Sequence, residues 1–151
     1  MEKVYDPIRK KEVPLTPEEK VRQWFLAVLM QKSRIPPLMI RVEAAMKFGQ
    51  ESGAIGGSSR KTYRADILVV DRSLKPLLVV ECKREDVPIT EEVMVQALRY
   101  NMVLGVKYLV LTNGVNTVIC SLLGDKVEFL KDLPSWEEML QAEENGTEEG
   151  L

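Results

Sequence analysis

Two short apolar runs separated by a polar turn constrain the fold of this chain more than any other feature. The first run covers Ile67–Val70 and the second covers Leu77–Val80, and both are rich in β-branched residues. The stretch Asp71-Arg-Ser-Leu-Lys-Pro76 lies between them and has the composition of a turn. This pattern predicts a β-hairpin in the middle of the chain.

Charged residues follow the predicted hairpin at its open end. If Asp71 pairs with Pro76 across the loop Arg-Ser-Leu-Lys, counting back along both strands brings Asp66 directly opposite Glu81. Side chains alternate between the two faces of a strand, so Lys83 is expected on the same face as these two acids. The hairpin therefore predicts two carboxylates and one ammonium group on a single surface.

Two opposed carboxylates destabilise a strand pair unless something compensates their charge. Their Cβ atoms lie roughly 5 Å apart in such a pair. A hard divalent cation such as Mg²⁺, usually held by one or two carboxylates together with substrate phosphate oxygens, would provide that compensation. The alternative is an exposed strand end, in which Asp66 pairs with Arg64 and Glu81 pairs with Lys83.

Several segments in order give the chain a resemblance to a known family. Asp66 is followed, after fourteen residues, by Glu81-Cys82-Lys83. This arrangement resembles the PD-(D/E)xK nuclease superfamily and, more closely, the N-terminal domain of type I restriction enzyme R subunits, including stand-alone versions of it. The remaining matching segments are Val42-Glu43, the strand that begins Arg64-Ala65-Asp66, Gln96-Ala-Leu-Arg-Tyr100-Asn101 and Leu111-Thr-Asn-Gly114. One departure is visible, because Ala65 stands where the superfamily name has a proline.

The resemblance implies an α/β fold with a restriction-endonuclease-like core, in which helices flank a central mixed β-sheet. It also implies a Mg²⁺-dependent deoxyribonuclease, with Mn²⁺ as an alternative metal. Asp66 and Glu81 would bind the metal, and Glu43 would be a third acid at the end of a helix that leads into the first strand, near Ala45–Phe48. The backbone carbonyl of Cys82 is a further candidate ligand.

Three more residues are expected to take part in the site. Lys83 would stabilise charge on the phosphate or position the attacking water. Gln96 and Tyr100 are four residues apart on a predicted helix and so lie on one face. The resemblance implies that Gln96 orients the site or contacts DNA and that Tyr100 supports it, whereas the residues alone are equally compatible with a tyrosine at the edge of a core.

Basic residues near the hairpin are candidate DNA contacts. The glycine-rich stretch 49–59 predicts a loop, which leads into Arg60, Lys61 and Arg64. Backbone phosphates are natural partners for such a basic rim, and Arg84 follows the hairpin on its other side. A solvated hairpin tip explains the same residues equally well.

Length and charge indicate one domain over residues 1–140, followed by an acidic tail over 141–151 that is expected to be disordered. Seven of the 23 acids lie from Asp132 onward, which leaves 16 acids against 21 bases, or +5, in the body of the chain. Such a body is compatible with a polyanionic partner such as DNA. The sequence has no histidine and two cysteines, Cys82 and Cys120, which excludes histidine catalysis and a four-ligand zinc site. No apolar run is long enough to cross a membrane, so a cytoplasmic protein is expected.

The remaining elements follow from local signals. The N-terminal arm has a short hairpin around Pro7–Lys11, in which Arg9 and its two neighbouring lysines are a solvated turn or, alternatively, touch nucleic acid. Thr16 is expected to cap a first helix whose Trp24 and Phe25 face the core. Thr90 is expected to cap a helix from Glu91 to Leu104.

The last third of the chain is expected to be mostly strand. Asn113-Gly114 is a two-residue hairpin turn, and a further strand lies near Lys126–Leu130. Ser135 is expected to cap a short helix that ends at Leu140.

Two functional alternatives to a nuclease remain. One is a catalytically silent module that binds DNA or a partner chain. The other is a subunit of a larger type I restriction complex, in which a separate helicase motor is the partner. A homodimer is expected if the protein cuts both DNA strands.

Overall fold

A computed structural model of the chain describes residues 1–48, 61–123 and 126–149. Two sheets and three α-helices account for most of these residues. In chain order the elements are β1 (Lys3–Asp6), β2 (Lys11–Pro14), α1 (Pro17–Gln31), a short 3₁₀ helix (Pro37–Met39), β3 (Ile40–Phe48), β4 (Lys61–Val70), β5 (Pro76–Cys82), α2 (Glu91–Leu104), β6 (Tyr108–Thr112), β7 (Thr117–Ser121), β8 (Glu128–Leu130) and α3 (Trp136–Glu149).

A six-stranded mixed sheet forms the centre of the fold, with the strand order β3-β4-β5-β6-β7-β8. Strands β5 and β6 are parallel and the other neighbours are antiparallel. Helix α2 makes the crossover that a parallel pair requires. Residues of α1 and α3 pack on one core cluster and residues of α2 pack on another. The predicted α/β, restriction-endonuclease-like core is therefore confirmed.

The central hairpin has the predicted register over most of its length. Ile67 pairs with Val80 and Val69 pairs with Leu78, as the apolar pattern requires. The predicted pairing of Asp71 with Pro76 is wrong, because the register shifts after Val69. Asp71 is instead buried, and its Oδ1 accepts hydrogen bonds from the backbone N–H groups of the turn at 2.8 and 2.9 Å.

Both predicted N-terminal elements are present. Strands β1 and β2 pair around the turn at Pro7–Lys10, which confirms the N-terminal hairpin. Thr16 caps α1, since its Oγ1 accepts a hydrogen bond from the backbone N–H of Glu19 at 3.1 Å. Phe25 is buried as expected, but the prediction that Trp24 is core is wrong, because 46% of Trp24 is exposed.

Helix α2 has the predicted bounds. The Oγ1 of Thr90 accepts a hydrogen bond from the backbone N–H of Val93 at 3.3 Å. The helix ends at Gly105, which has φ +73° and so adopts the left-handed conformation that glycine permits. Both cysteines are buried.

Three elements near the C-terminus differ from expectation. The β6–β7 loop has four residues rather than two, because the Oδ1 of Asn113 accepts hydrogen bonds from the backbone N–H groups of Val115 and Asn116 at 2.9 and 2.7 Å. Helix α3 begins with the predicted Ser135 cap but continues to Glu149, beyond the expected end at Leu140 and through most of the expected tail. Strand β8 is shorter than predicted.

The predicted loop over residues 49–59 lies outside the described residues.

Among the helices described, none is long and apolar enough to span a membrane.

Candidate functional site

The backbone of strand β3 changes direction at Glu43. This residue has φ +52° and interrupts the β3–β4 ladder, which pairs Val42 with Ile67 and Ala44 with Ala65. The first of these pairs packs on the core cluster of α1 and the second on that of α2. The usual alternation of side chains therefore switches faces at this point. The prediction that Glu43 ends a helix is wrong, because Glu43 lies within a strand.

This switch directs the side chain of Asp66 toward α1. Its Oδ1 accepts a hydrogen bond from Nη2 of Arg22 at 2.9 Å, and its Oδ2 accepts one from the backbone N–H of Cys82 at 2.8 Å. Glu81 and Lys83 instead line a cavity beside α2. The expectation of one shared face is therefore wrong for the Asp66 side chain. Its backbone keeps the predicted position, because Asp66 directly precedes Ile67, whose ladder partner Val80 directly precedes Glu81.

Arg22 is the centre of a buried ionic network on the α1 side. Its guanidinium contacts Glu19 at 2.8 Å, Glu18 at 3.4 Å and Glu43 at 3.8 Å, in addition to Asp66. Burial opposes the charge of Arg22, but the hydrogen bonds to Asp66 and Glu19 raise the pKa of its guanidinium. Arg22 therefore stays charged and draws carboxylates of α1, β3 and β4 together.

A second arginine fastens the N-terminal hairpin to this network. Arg9 contacts Asp6 and Glu19 at 2.7 Å each and Glu43 at 3.4 Å. Asp6 is fully buried, and although burial raises its pKa, hydrogen bonds from Arg9, Ile8 and Gln23 lower that pKa below the ordinary value. The solvated turn predicted for this segment is therefore wrong for Arg9, whose guanidinium is engaged inside the protein, whereas Lys10 and Lys11 are exposed as that prediction requires. A nucleic-acid contact by these two lysines stays a prediction.

Glu18 is a candidate site residue that the sequence analysis did not identify. Burial raises the pKa of Glu18, and the charge of the neighbouring Asp66 carboxylate raises it further. Arg22 and Lys83 act in the opposite direction. The only local signal was the spacing of Glu18 and Arg22, which are four residues apart on α1.

The other half of the site lies between β5 and α2. Glu81, Lys83, Gln96 and Tyr100 line a cavity of about 210 Å³, which brings four of the predicted site residues together. Burial raises the pKa of Glu81, and the Lys83 ammonium partly offsets this rise. Tyr63, which was not predicted, stacks on Tyr100 with ring centroids 5.4 Å apart and an interplanar angle of 18°.

The candidate DNA contacts are spread around this end of the sheet. Arg64 is exposed on β4, and Arg84 is exposed with its Nη2 3.2 Å from Asp86. Lys61 begins β4, and Arg60 lies outside the described residues. The structure thus leaves Arg64 and Arg84 accessible from solvent.

The donor chemistry of the α1 side suits a hard cation. Glu18 and Asp66 are two carboxylates that lie 3.4 and 2.9 Å from the same nitrogen of Arg22, and carboxylate oxygens are the ligands that Mg²⁺ prefers. Within residues 1–48, 61–123 and 126–149, no three Asp, Glu or Cys side chains are already grouped as a metal site. The Cys82 thiol is not a suitable ligand, because burial raises its pKa and the thiol packs in the α1-side core. Its backbone carbonyl remains available as a candidate.

The mixed sheet and the acidic hairpin define a domain of the restriction-endonuclease-like class. Residues 17–134 match the family model described as type I restriction enzyme R protein N terminus (HSDR_N). Because this match covers most of the chain, the chain belongs to that family.

One solved structure supports the fold. A fragment assigned as an HsdR subunit of a type I restriction enzyme from Vibrio vulnificus YJ016 matches with a TM-score of 0.59 and 23% identity over 85% of this chain. The match spans 25% of the Vibrio chain. A second structure, SSO0001, matches with a TM-score of 0.39 and 13% identity over 85% of this chain and 57% of the other, too distant to carry an argument. No protein with a curated description matches the sequence.

Proposed function

We propose that this chain is a Mg²⁺-dependent deoxyribonuclease, with Mn²⁺ as an alternative metal. The observation that carries the proposal is the arrangement of charged groups at the end of the β4–β5 pair. Glu18 and Asp66 both contact the guanidinium of Arg22, and Asp66 accepts a hydrogen bond from the backbone N–H of Cys82. The residues on either side of Cys82, Glu81 and Lys83, line one cavity. Hydrolysis of a phosphodiester needs acidic metal ligands and a cation near the phosphate, which these residues would provide.

The residues that would hold Mg²⁺ are Asp66, Glu81 and Glu18, with Glu43 and the carbonyl of Cys82 as further candidates. The contacts of Asp66 leave room for this, because a carboxylate has about four lone-pair sites and Asp66 accepts one hydrogen bond on each oxygen. A bound ion would lower the pKa of a water and polarise the scissile phosphate.

The remaining chemistry would fall to side chains of β5 and α2. Lys83 would stabilise charge on the phosphate or orient the attacking water. Gln96 and Tyr100 would hold that end of the cavity, and the stack with Tyr63 would fix the Tyr100 ring. Arg64 and Arg84, both exposed, would contact the DNA backbone, with Arg60 and Lys61 as candidates that precede them in the chain.

The direct test is nicking of a supercoiled plasmid with Mg²⁺ or with EDTA. We expect Asp66→Ala and Lys83→Ala to cut at least about 100-fold more slowly than the wild type, the scale of losing one group that stabilises a transition state. Lys131→Ala, which changes an exposed lysine beyond β8, is the matched control and should cut normally. Equal cleavage by the Asp66 and Lys83 variants and the wild type would reject the assignment.

A silent binding module is the second candidate, and two observations favour it. Asp66 is engaged by Arg22, and the described residues contain no ready group of three metal ligands. DNA binding that survives EDTA, with no cleavage in Mg²⁺ or Mn²⁺, would support this function instead. Family membership also suggests other subunits of a restriction complex, including a separate motor, as partners, and a pull-down with such subunits would test this.

A further inference from the structure

Trp24 is an unusual member of the apolar stripe of α1. Its neighbours Val21 and Phe25 are buried, whereas 46% of Trp24 is exposed. The indole meets the Phe25 ring edge to face, with centroids 5.6 Å apart and an interplanar angle of 70°. The core thus supports one part of the indole, while another part stays open to solvent.

The open part of the indole lies in a cavity of about 460 Å³ between α1 and two loops. Gly114 closes one side, since a Cβ at this position would lie 3.5 Å from Cγ2 of Val21. The amide of neighbouring Asn113 is used internally, with Nδ2 bound to the carbonyl of Val87 and Oδ1 bound to backbone N–H groups. The cavity wall is therefore mostly apolar around the indole.

Two residues of opposite charge line this cavity. Lys20 lies one helical turn from Trp24 on the same face of α1, and Glu85 lines the cavity from the loop after β5. Phosphate is attracted to Lys20 and repelled by Glu85. A ligand that contains both an aromatic ring and a phosphate therefore fits this cavity, with its ring on the indole of Trp24 and its phosphate beside Lys20.

The cavity adjoins the candidate catalytic residues. Pro17 lines the cavity and precedes Glu18 in the chain, and Glu85 follows Lys83 by two residues. DNA bound beside Glu18 and Lys83 would therefore have a segment near this cavity.

We propose that Trp24 is a stacking platform for an unpaired nucleobase of the DNA substrate and that Lys20 binds a phosphate of the same strand. The proposal rests on the proposed function only in taking DNA as the substrate. A base inside a duplex has both faces covered, whereas a single strand can stack its bases on an aromatic side chain. The preferred substrate is therefore DNA with a single-stranded segment beside the cut.

Tryptophan fluorescence in EDTA tests the platform without any cleavage. The chain has two tryptophans, and the other, Trp136, is only 6% exposed. We expect a short single-stranded oligonucleotide to quench the wild type and to leave the signal of Trp24→Phe unchanged. A blunt duplex of the same sequence should quench much less at equal concentration.

Affinity for a labelled oligonucleotide, measured by anisotropy, gives a second readout. Trp24→Ala should bind about tenfold more weakly or worse, the scale of losing one stacked base, while Trp24→Phe should retain most of the affinity. Lys20→Gln should reduce the slope of log affinity against log salt by about 0.7, the value for one phosphate on single-stranded DNA. Phe129→Ala is the matched control, because it removes an aromatic ring that is 66% exposed on β8.

The outcomes separate this proposal from the nuclease assignment. Absence of quenching by single-stranded DNA, or equal affinities for Trp24→Ala and Phe129→Ala, would overturn the platform even if the protein cuts DNA. Quenching with the expected loss in Trp24→Ala would support the platform even if no metal activates cleavage. If Trp24→Ala fails to fold, an unchanged salt slope in Lys20→Gln together with unquenched wild-type fluorescence would still refute it.

Discussion

The two carboxylates of the central hairpin occupy very different surroundings. Asp66 accepts hydrogen bonds from Arg22 and from the backbone of Cys82, so its charge is matched within the protein. Glu81 lies in the cavity beside α2, where burial raises its pKa and Lys83 offsets only part of that rise. The comparison shows that the acids on the α1 side are stabilised by ion pairs, whereas burial on the α2 side makes the charge of Glu81 unfavourable and Lys83 offsets only part of that cost.

The largest effect should come from breaking the α1 side. Arg22→Met removes the cation that contacts Asp66 and leaves Glu19 with Arg9 alone, and we expect a loss of about 3–5 kcal/mol in the free energy of unfolding. Arg72→Met is the control, because Arg72 is exposed and 3.9 Å from Glu137, a surface pair worth about 0–1 kcal/mol. Urea unfolding measures both, and equal losses would mean that the two arginines are equivalent.

A smaller effect of opposite sign should come from the α2 side. Glu81→Gln removes a buried charge, and we expect a gain of on the order of 1 kcal/mol at pH 7.5. The folded state raises the pKa of Glu81, so this group binds its proton more tightly when folded and its contribution to stability falls as pH rises above the ordinary value of 4.5.

The gain of Glu81→Gln should therefore disappear in urea unfolding at pH 4, where Glu81 is protonated in both the folded and the unfolded chain. Glu128→Gln, at an exposed position on β8, should show no gain at either pH. A gain that is the same at both pH values would mean that charge is not its cause.

A comparable gain in stability is expected at the tyrosine stack, which lines the same cavity as Glu81. Among the described side chains, the Tyr63 hydroxyl is buried without a hydrogen-bond partner. Tyr63→Phe should therefore raise the free energy of unfolding by about 1 kcal/mol while keeping the stack on Tyr100. Tyr5→Phe, at a residue that is 58% exposed, should change nothing measurable. A loss of stability in Tyr63→Phe would show that the hydroxyl has a partner.

The smallest effect is the expected difference between the N-caps of α1 and α2, the helices on the two sides of the site. Thr16→Ala should cost about 1 kcal/mol and Thr90→Ala about 0.5 kcal/mol, because the first cap is partly buried and the second is exposed. Thermal unfolding of both variants measures the difference. A larger loss for Thr90→Ala would indicate that α2 contributes more to stability than α1.

The strands and helices could be predicted largely from the sequence, because their signals are local. The alternating apolar residues around Ile67 and Val80 set the hairpin register, and Thr16 and Thr90 marked two helix starts. The predicted pairing of Asp71 with Pro76 was wrong, because the Asp71 side chain accepts hydrogen bonds from the backbone of the turn. Such a bond depends on the three-dimensional path of the turn.

The arrangement of the site could be predicted only in part. Glu81, Lys83, Gln96 and Tyr100 share a cavity, since strand and helix periodicity bring them together. The turn of Asp66 toward α1 could not be predicted, because it depends on a left-handed residue at Glu43 and on Arg22, which is 44 positions away. A glutamate carries no local signal for φ above zero, and the pairing of distant charges has no periodicity.

The irregular backbone at Glu43 also bears on how this protein avoids aggregation. Strand β3 has nine residues and lies at the border of the six-stranded sheet, where a flat strand of that length would offer a template for another polypeptide. The left-handed residue divides that border into two shorter stretches, and its carboxylate is tethered by Arg9. The distortion that directs the Asp66 side chain toward α1 therefore also disfavours the addition of a strand from another molecule.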